Sequence, residues 1–141
     1  TEGMVVTYAK CCYPLPGDEI IGHLSAGRGL VVHRHTCRNV ENELRDNPER
    51  CLPLRWEKKV QGDFPVELRV ELSNRRGALA TLATIVAEND SNIDAINLIE
   101  KDPQMGVVSI LISVHDRVHL ARIIKRLRLV PGVGKISRGK S

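Results

Sequence analysis

Three thiols and an imidazole fall within a short stretch of this chain: Cys11 and Cys12 stand side by side, and His33 and Cys37 follow in a His-x3-Cys step. Such groups serve metal binding, thiol redox chemistry or nucleophilic catalysis. Three thiolates and one imidazole would fill the tetrahedral shell of Zn2+, and Cys37 near a helix start would have its thiolate favoured. Adjacent side chains on an extended strand point to opposite faces, so only a turn at Cys11 and Cys12 would bring both sulfurs to one ion. The same residues also read as thiols packed in a small core or used in a contact surface. A third reading is a redox switch built on Cys11, Cys12 and Cys37. A catalytic Cys/His pair would need a group to orient the base and a cleft for substrate. Nothing specific supplies either, and the chain contains no GxxxxGK[ST], GxGxxG, GxSxG or HExxH. His23 and His35 are extra imidazoles of the kind that more often satisfy structure than perform catalysis.

The elements that position these residues are short. Pro14, Pro16 and Gly17 make the segment after the cysteine pair a turn, and Ile20 to Leu24 and Gly29 to His33 read as strands around a tight Gly27–Gly29 loop. Val40 and Leu44 predict a short helix between Thr36 and Asp46, with Thr36 as cap and Cys37 in the first turn. Cys51 to Trp56 reads as a strand. Residues 1–58 thus form a small mixed α/β cysteine module, residues 59–64 a polar linker, and residues 65–141 a second domain.

That second domain has clearer periodicity. Val66, Leu68, Val70 and Leu72 alternate with Glu67, Arg69 and Glu71, the period of a half-buried strand. After Asn74, Arg75, Arg76 and Gly77, the residues Leu79, Leu82, Ala83 and Val86 fall at helical spacing. Ile93 to Glu100 and Val107 to Val114 read as strands joined by a hairpin loop. Asp116 caps a helix turning Leu120, Ile123, Ile124 and Leu127 inward, Pro131 and Gly132 break it, and Val133 to Ser137 makes a last strand. The order β-α-β-β-α-β is the ferredoxin-like arrangement, so the fold class is α+β.

Charge and length narrow the function. The 141 residues carry a net charge of +4. Residues 1–59 hold nine Lys/Arg against eight Asp/Glu, whereas from Arg117 onward there are eight Lys/Arg and no acid. Such a face suits phosphate-bearing partners or is a solvated helix surface. No aromatic residue follows Phe64, which argues against base stacking on the second sheet. RNA contacts would instead be phosphate-directed, from Arg122, Lys125, Arg126, Arg128, Lys135, Arg138 and Lys140. Backbone N–H groups at Gly77 and Ala78 suit a carboxylate, or Gly77 merely permits the turn. With no run of about 18 apolar residues and no secretory layout in TEGMVVTYAK, the protein is expected to be soluble and cytoplasmic, with no membrane partner. Its abrupt start on an ordered-looking strand suggests a piece of something longer.

The segments AKCCYPLPGDEIIGHLSAGRGLVVHRHTC, SNRRGALATLATIVAENDSNI and DRVHLARIIKRLRLVPGV together resemble the C-terminal regulatory region of the bacterial RelA/SpoT enzymes of guanosine tetraphosphate metabolism. The second half is similar to an ACT domain, and the DRVHLARIIKRLR helix favours the SpoT type. This resemblance implies a non-catalytic region whose zinc-finger-like module and ACT domain bias the synthetase and hydrolase activities of a stringent-response enzyme. It places the zinc-finger-like group at Cys11, Cys12, His33 and Cys37, with Cys51 outside. It also implies partners: the parent's catalytic domains, ribosomal RNA beside tRNA in the ribosome-associated members, regulatory proteins, and a second copy through the ACT domain. An amino-acid ligand is the alternative, at Asn74, Gly77, Ala78, Leu79, Asn92 and Ile93.

Overall fold

The strand that opens the first sheet lies parallel to a neighbour 24 residues further on, a pairing that no local pattern in the chain announces. The computed structural model describes residues 5–73, 77–102 and 104–139, residues 100 and 101 by their backbone only. The chain divides into two compact units between Gly62 and Asp63.

In the first unit, β1 (Val6–Tyr8), β2 (Ile20–Ser25), β3 (Gly29–Arg34) and β4 (Cys51–Leu54) form one sheet in the order β1-β3-β2-β4. β1 runs parallel to β3 with Val6 opposite Leu30, while β2 pairs antiparallel with both β3 and β4. Gly29 makes the parallel contact feasible. Its φ is +73°, and a Cβ there would collide with the backbone oxygen of Val5, which accepts the Leu30 N–H at 2.9 Å. The helix α1 (Arg38–Asp46) turns Val40 onto a core of Ala9, Cys12, Ile21, Val31 and Cys37, with Leu44 and Cys51 packed beside it. Each fully buried aliphatic side chain of this kind contributes about 1.5–3 kcal/mol. The expected cap at Thr36 is displaced by one residue. Cys37 is the N-cap, extended at φ −67° and ψ 131°, and its carbonyl accepts the N–H groups of Val40 and Glu41. β4 is also shorter than expected, ending at Leu54.

In the second unit the order is β5 (Phe64–Ser73), α2 (Ala78–Glu88), β6 (Ile93–Lys101), β7 (Met105–Val114), α3 (Arg117–Leu127) and β8 (Val133–Arg138). The four strands form an antiparallel sheet in the order β6-β7-β5-β8, the ferredoxin-like βαββαβ topology expected from the periodicity. Val66, Leu68, Val70 and Leu72 of β5 are buried together with Val108, Ile110, Ile112 and Val114 of β7 and with Leu82, Val86, Leu120, Ile123 and Leu127 of the helices.

Three details differ from the sequence expectation. Phe64, the last residue of the expected linker, instead begins β5 opposite Val114 and is buried, because the apolar alternation extends one step further back. α2 starts at Ala78, one residue before Leu79, behind its left-handed N-cap Gly77 (φ +79°), and Ala78, Leu82 and Val86 point inward while Leu79 and Ala83 are exposed. On α3, His119 is buried and Ile124 only half-buried. The Asp116 cap is as expected, its Oδ1 accepting the His119 N–H at 2.7 Å.

Candidate metal centre

Lys10, Cys11 and Cys12 form a turn that the sequence left open, closed by the Tyr13 N–H donating to the Ala9 carbonyl at 3.0 Å, with Tyr13 itself at φ 45°. The turn removes the strand geometry that would have sent the two adjacent sulfurs apart. Beyond it, the Leu15 N–H donates to Asp18 Oδ2 at 2.8 Å, and the Trp56 indole donates to the Asp18 carbonyl at 3.1 Å. His33 sits near the end of β3 and Cys37 at the cap of α1, joined by the short bend in which the Cys37 N–H donates to the Arg34 carbonyl.

These elements bring four ligand atoms together. The three sulfurs and one His33 ring nitrogen all lie within 4.8 Å of one another. Cys11 Sγ is 3.4 Å from His33 Nδ1 and 3.6 Å from Cys37 Sγ, and Cys12 Sγ is 3.8 Å from His33 Nδ1. A tetrahedral Zn2+ with Zn–S of about 2.3 Å and Zn–N of about 2.0 Å sets S···S separations of about 3.8 Å and S···N separations of about 3.5 Å. The donor set fits. Cys12, His33 and Cys37 are buried and Cys11 is exposed, so the group opens to solvent at one member. The Arg34 N–H donates to Cys12 Sγ at 3.3 Å, which favours a thiolate at that sulfur.

Electrostatics give this group a cost when no cation is present. Burial pushes the Cys12 thiol well above its ordinary range; the Arg34 N–H opposes that shift, while the neighbouring Cys37 and Cys11 sulfurs add to it. Burial also lowers His33 below its usual value, with the charges of His23 and Arg28 acting in the same direction. A neutral His33 imidazole and a Cys12 sulfur that resists bearing charge alone are the conditions a divalent cation relieves. Zn2+ bound here would neutralise the thiolates and join the β1–β2 turn, β3 and the start of α1. The closeness of Cys11 and Cys37 also suits oxidation, in which the two thiols would give up two electrons and two protons to an oxidant and form one disulfide bond.

A cleft of about 730 Å3 flanks the cluster, lined among others by Tyr8, Lys10, Cys11, His23, Asn39 and Glu43. In it His23 Nε2 lies 3.1 Å from Glu43 Oε2, which also accepts from Asn47 Nδ2 at 3.3 Å. This pair was not identified from the chain, since β2 and α1 meet only in the folded unit.

The other candidate residues are distributed over the second unit. Asn74 lies outside the described residues. Gly77 and Ala78 open α2, Leu79 and Asn92 are exposed, and Ile93 begins β6 opposite Ile112. Arg122, Lys125 and Arg126 are exposed on α3 and Arg128 follows it, while Lys135 is exposed and Arg138 half-buried on β8. Lys140 lies outside the described residues. None of the described helices is long and apolar enough to cross a membrane.

Residues 1–57 match the family model of the RelA/SpoT RIS domain, and residues 60–138 match that of an ACT domain. The chain is 40% identical over 140 residues to the bifunctional (p)ppGpp synthase/hydrolase SpoT of Escherichia coli (strain K12), covering 99% of this chain and 20% of that protein. It is 32% identical over 127 residues to the GTP pyrophosphokinase of the same strain, covering 89% of this chain and 17% of that protein. Among solved structures, the crystal structure of the ACT domain from GTP pyrophosphokinase of Chlorobium tepidum is 26% identical, covering 55% of this chain and 99% of that one, with a TM-score of 0.47. The chain therefore spans about a fifth of the length of the curated relatives it matches.

Proposed function

The chain belongs to the RelA/SpoT family, as a C-terminal region of SpoT type with a RIS domain followed by an ACT domain, and from that premise we propose that it regulates a bifunctional (p)ppGpp synthase/hydrolase without taking part in the chemistry. One observation carries the reading. The two matched domains fill residues 1–57 and 60–138, which leaves no room in these 141 residues for a catalytic domain. The output is a conformational bias. A ligand or partner that prefers one arrangement of the parent shifts the balance of its two activities by its differential affinity and no further.

Within that role the four-donor cluster is a structural Zn2+ site that sets the shape of the first unit, supported by its ligand separations and by the burial of three of its members. In the second unit, the exposed Ile96, Leu98 and Ile99 of the edge strand β6 favour a second copy as its neighbour. The cationic side of α3 is a contact face for a negatively charged partner, either nucleic-acid phosphates or an acidic protein.

The test compares (p)ppGpp synthesis and hydrolysis by the full-length parent with and without this segment. The reading expects both activities to survive and their ratio to move. Loss of both in parallel would show that the segment belongs to the catalytic machinery.

A further inference from the structure

The two most exposed large apolar side chains among the described residues are Val118 at 69% and Leu129 at 74%. Val118 lies in the first turn of α3 and Leu129 in the turn just past its Arg128 cap, and both stand among cations. Isolated exposed aliphatic residues are ordinary on protein surfaces, so their arrangement decides the matter.

At 100° per residue, Val118, Arg122 and Lys125 occupy steps i, i+4 and i+7 along the outer side of α3, and Leu129 follows in the turn beyond the Arg128 cap, its N–H donating to the Arg126 carbonyl. From Val118 to Lys125 the row extends about 10 Å, and Leu129 adds an aliphatic side chain just past the end of the helix, so the two cations stand between two aliphatic residues. Arg126 and Arg128 flank this row, and all four cations are exposed. No Asp or Glu occurs from Arg117 to the end of the chain, and Asp116 is occupied in capping the helix. None of Arg122, Lys125, Arg126 and Arg128 forms an ion pair among the described residues.

This pattern separates the two partner classes. Phosphates reward cations and gain nothing from Val118 and Leu129, which an RNA contact would leave in water or cover with polar groups. An amphipathic helix laid along α3 meets Val118, Arg122 and Lys125 at the i, i+4, i+7 spacing with which one helix meets another, and reaches Leu129 just past the end of α3. The long stems of Arg122 and Lys125 add apolar surface between the two aliphatic ends.

The geometry points to the outer face of α3 as a docking site for an acidic amphipathic helix of a protein partner, with aliphatic residues about three turns apart and carboxylates between them. The inference rests on the reading of α3 as a contact face and names its partner. Val118 and Leu129 act as the apolar ends, Arg122 and Lys125 meet the central carboxylates, and Arg126 and Arg128 steer the approach.

The test uses the 141-residue chain and three fluorescent probes: a helical Leu/Glu/Ala peptide of about 20 residues, polyglutamate of equal length, and a single-stranded oligouridylate of equal length. Anisotropy titrations should give roughly tenfold or tighter binding of the Leu/Glu/Ala peptide over polyglutamate, equivalent to about 1.4 kcal/mol. The double variant Val118→Ser with Leu129→Ser should erase that difference and leave polyglutamate binding unchanged. Arg122→Ala with Lys125→Ala should weaken both peptides. All four positions are exposed, so the variants retain the fold. Tighter binding of oligouridylate, unaffected by the serine substitutions, would overturn the protein partner and leave a phosphate-binding face. Failure of all three probes to bind would remove both the partner and the contact face.

Discussion

Replacing Cys37 by Ala separates a metal site from a merely packed thiol, because the two predict costs of different size and different dependence on metal. Cys37 is buried in the core of the first unit, 3.6 Å from Cys11 Sγ. If its sulfur only packs, truncation leaves a cavity of one atom and costs roughly 1 kcal/mol whether or not metal is present. If it is one of four ligands, truncation forfeits the stabilisation by bound Zn2+, about 4 kcal/mol at a free metal concentration a thousand times the dissociation constant. Trp56 is the only tryptophan and lies in the first unit, so urea unfolding followed by its fluorescence reports on that unit. The expected result is one Zn2+ released per chain on denaturation. Cys37→Ala should destabilise by about 5 kcal/mol with saturating metal, the forfeited metal stabilisation plus the lost packing, a gap that shrinks to roughly 1 kcal/mol once a chelator is added to both proteins. Cys51→Ala, at a cysteine outside the cluster, should retain the metal. An equal cost with and without chelator, or no metal in the intact chain, would refute the reasoning.

His119 is 2% exposed, and its Nδ1 accepts the His115 N–H at 2.9 Å, so Nε2 donates to the Asn89 carbonyl at 2.6 Å. His119→Phe should remove both bonds and destabilise the second unit by about 2–5 kcal/mol in chemical denaturation, whereas a loss under about 1 kcal/mol would show that water replaces the ring. The Asp102 carboxyl is held below its ordinary value of 3.8 by the N–H groups of Met105 and Gln104. Because its pKa is depressed in the fold, its contribution is complete above 3.8 and is lost as the pH falls through the lower folded value. Protection factors at the Gln104 and Met105 amides, taken against the intrinsic exchange rate at each pH, should therefore fall on acidification in the native chain but not in Asp102→Ala. Gly27 and Gly29 both have positive φ, but only at Gly29 would a Cβ meet backbone, that of Val5. Gly29→Ala should lower stability by at least about 1 kcal/mol more than Gly27→Ala, and equal effects would contradict the close approach of β1.

The second unit was largely legible because its core is written in short-range periods. Val66 to Leu72 alternate on β5, and Asp116 stands where a cap must for α3 to bury Leu120, Ile123 and Leu127. What escaped notice there depends on single backbone positions. The left-handed Gly77 caps α2, which starts at Ala78 with Leu79 exposed, and the burial of His119 follows from bonds to Asn89 and His115, distant along the chain or made through backbone. In the first unit the four cluster residues could be picked out by type, but their convergence could not. It needs the turn at Lys10 to Cys12, the left-handed Tyr13, and the parallel β1–β3 pairing, none of which has a signature in residue order. The pairing of His23 with Glu43 was hidden for the same reason, being made between β2 and α1.

Synthesis and hydrolysis of (p)ppGpp, measured side by side in the full-length parent carrying Cys12→Ala, address the account most directly, because that residue is a buried member of the cluster and lies within the segment that matches the RIS domain. A controlling segment predicts that both rates persist while their ratio shifts by roughly 5- to 150-fold, the span of ordinary coupling energies. An unchanged ratio, or a parallel collapse of both rates in a protein that remains folded, would contradict it.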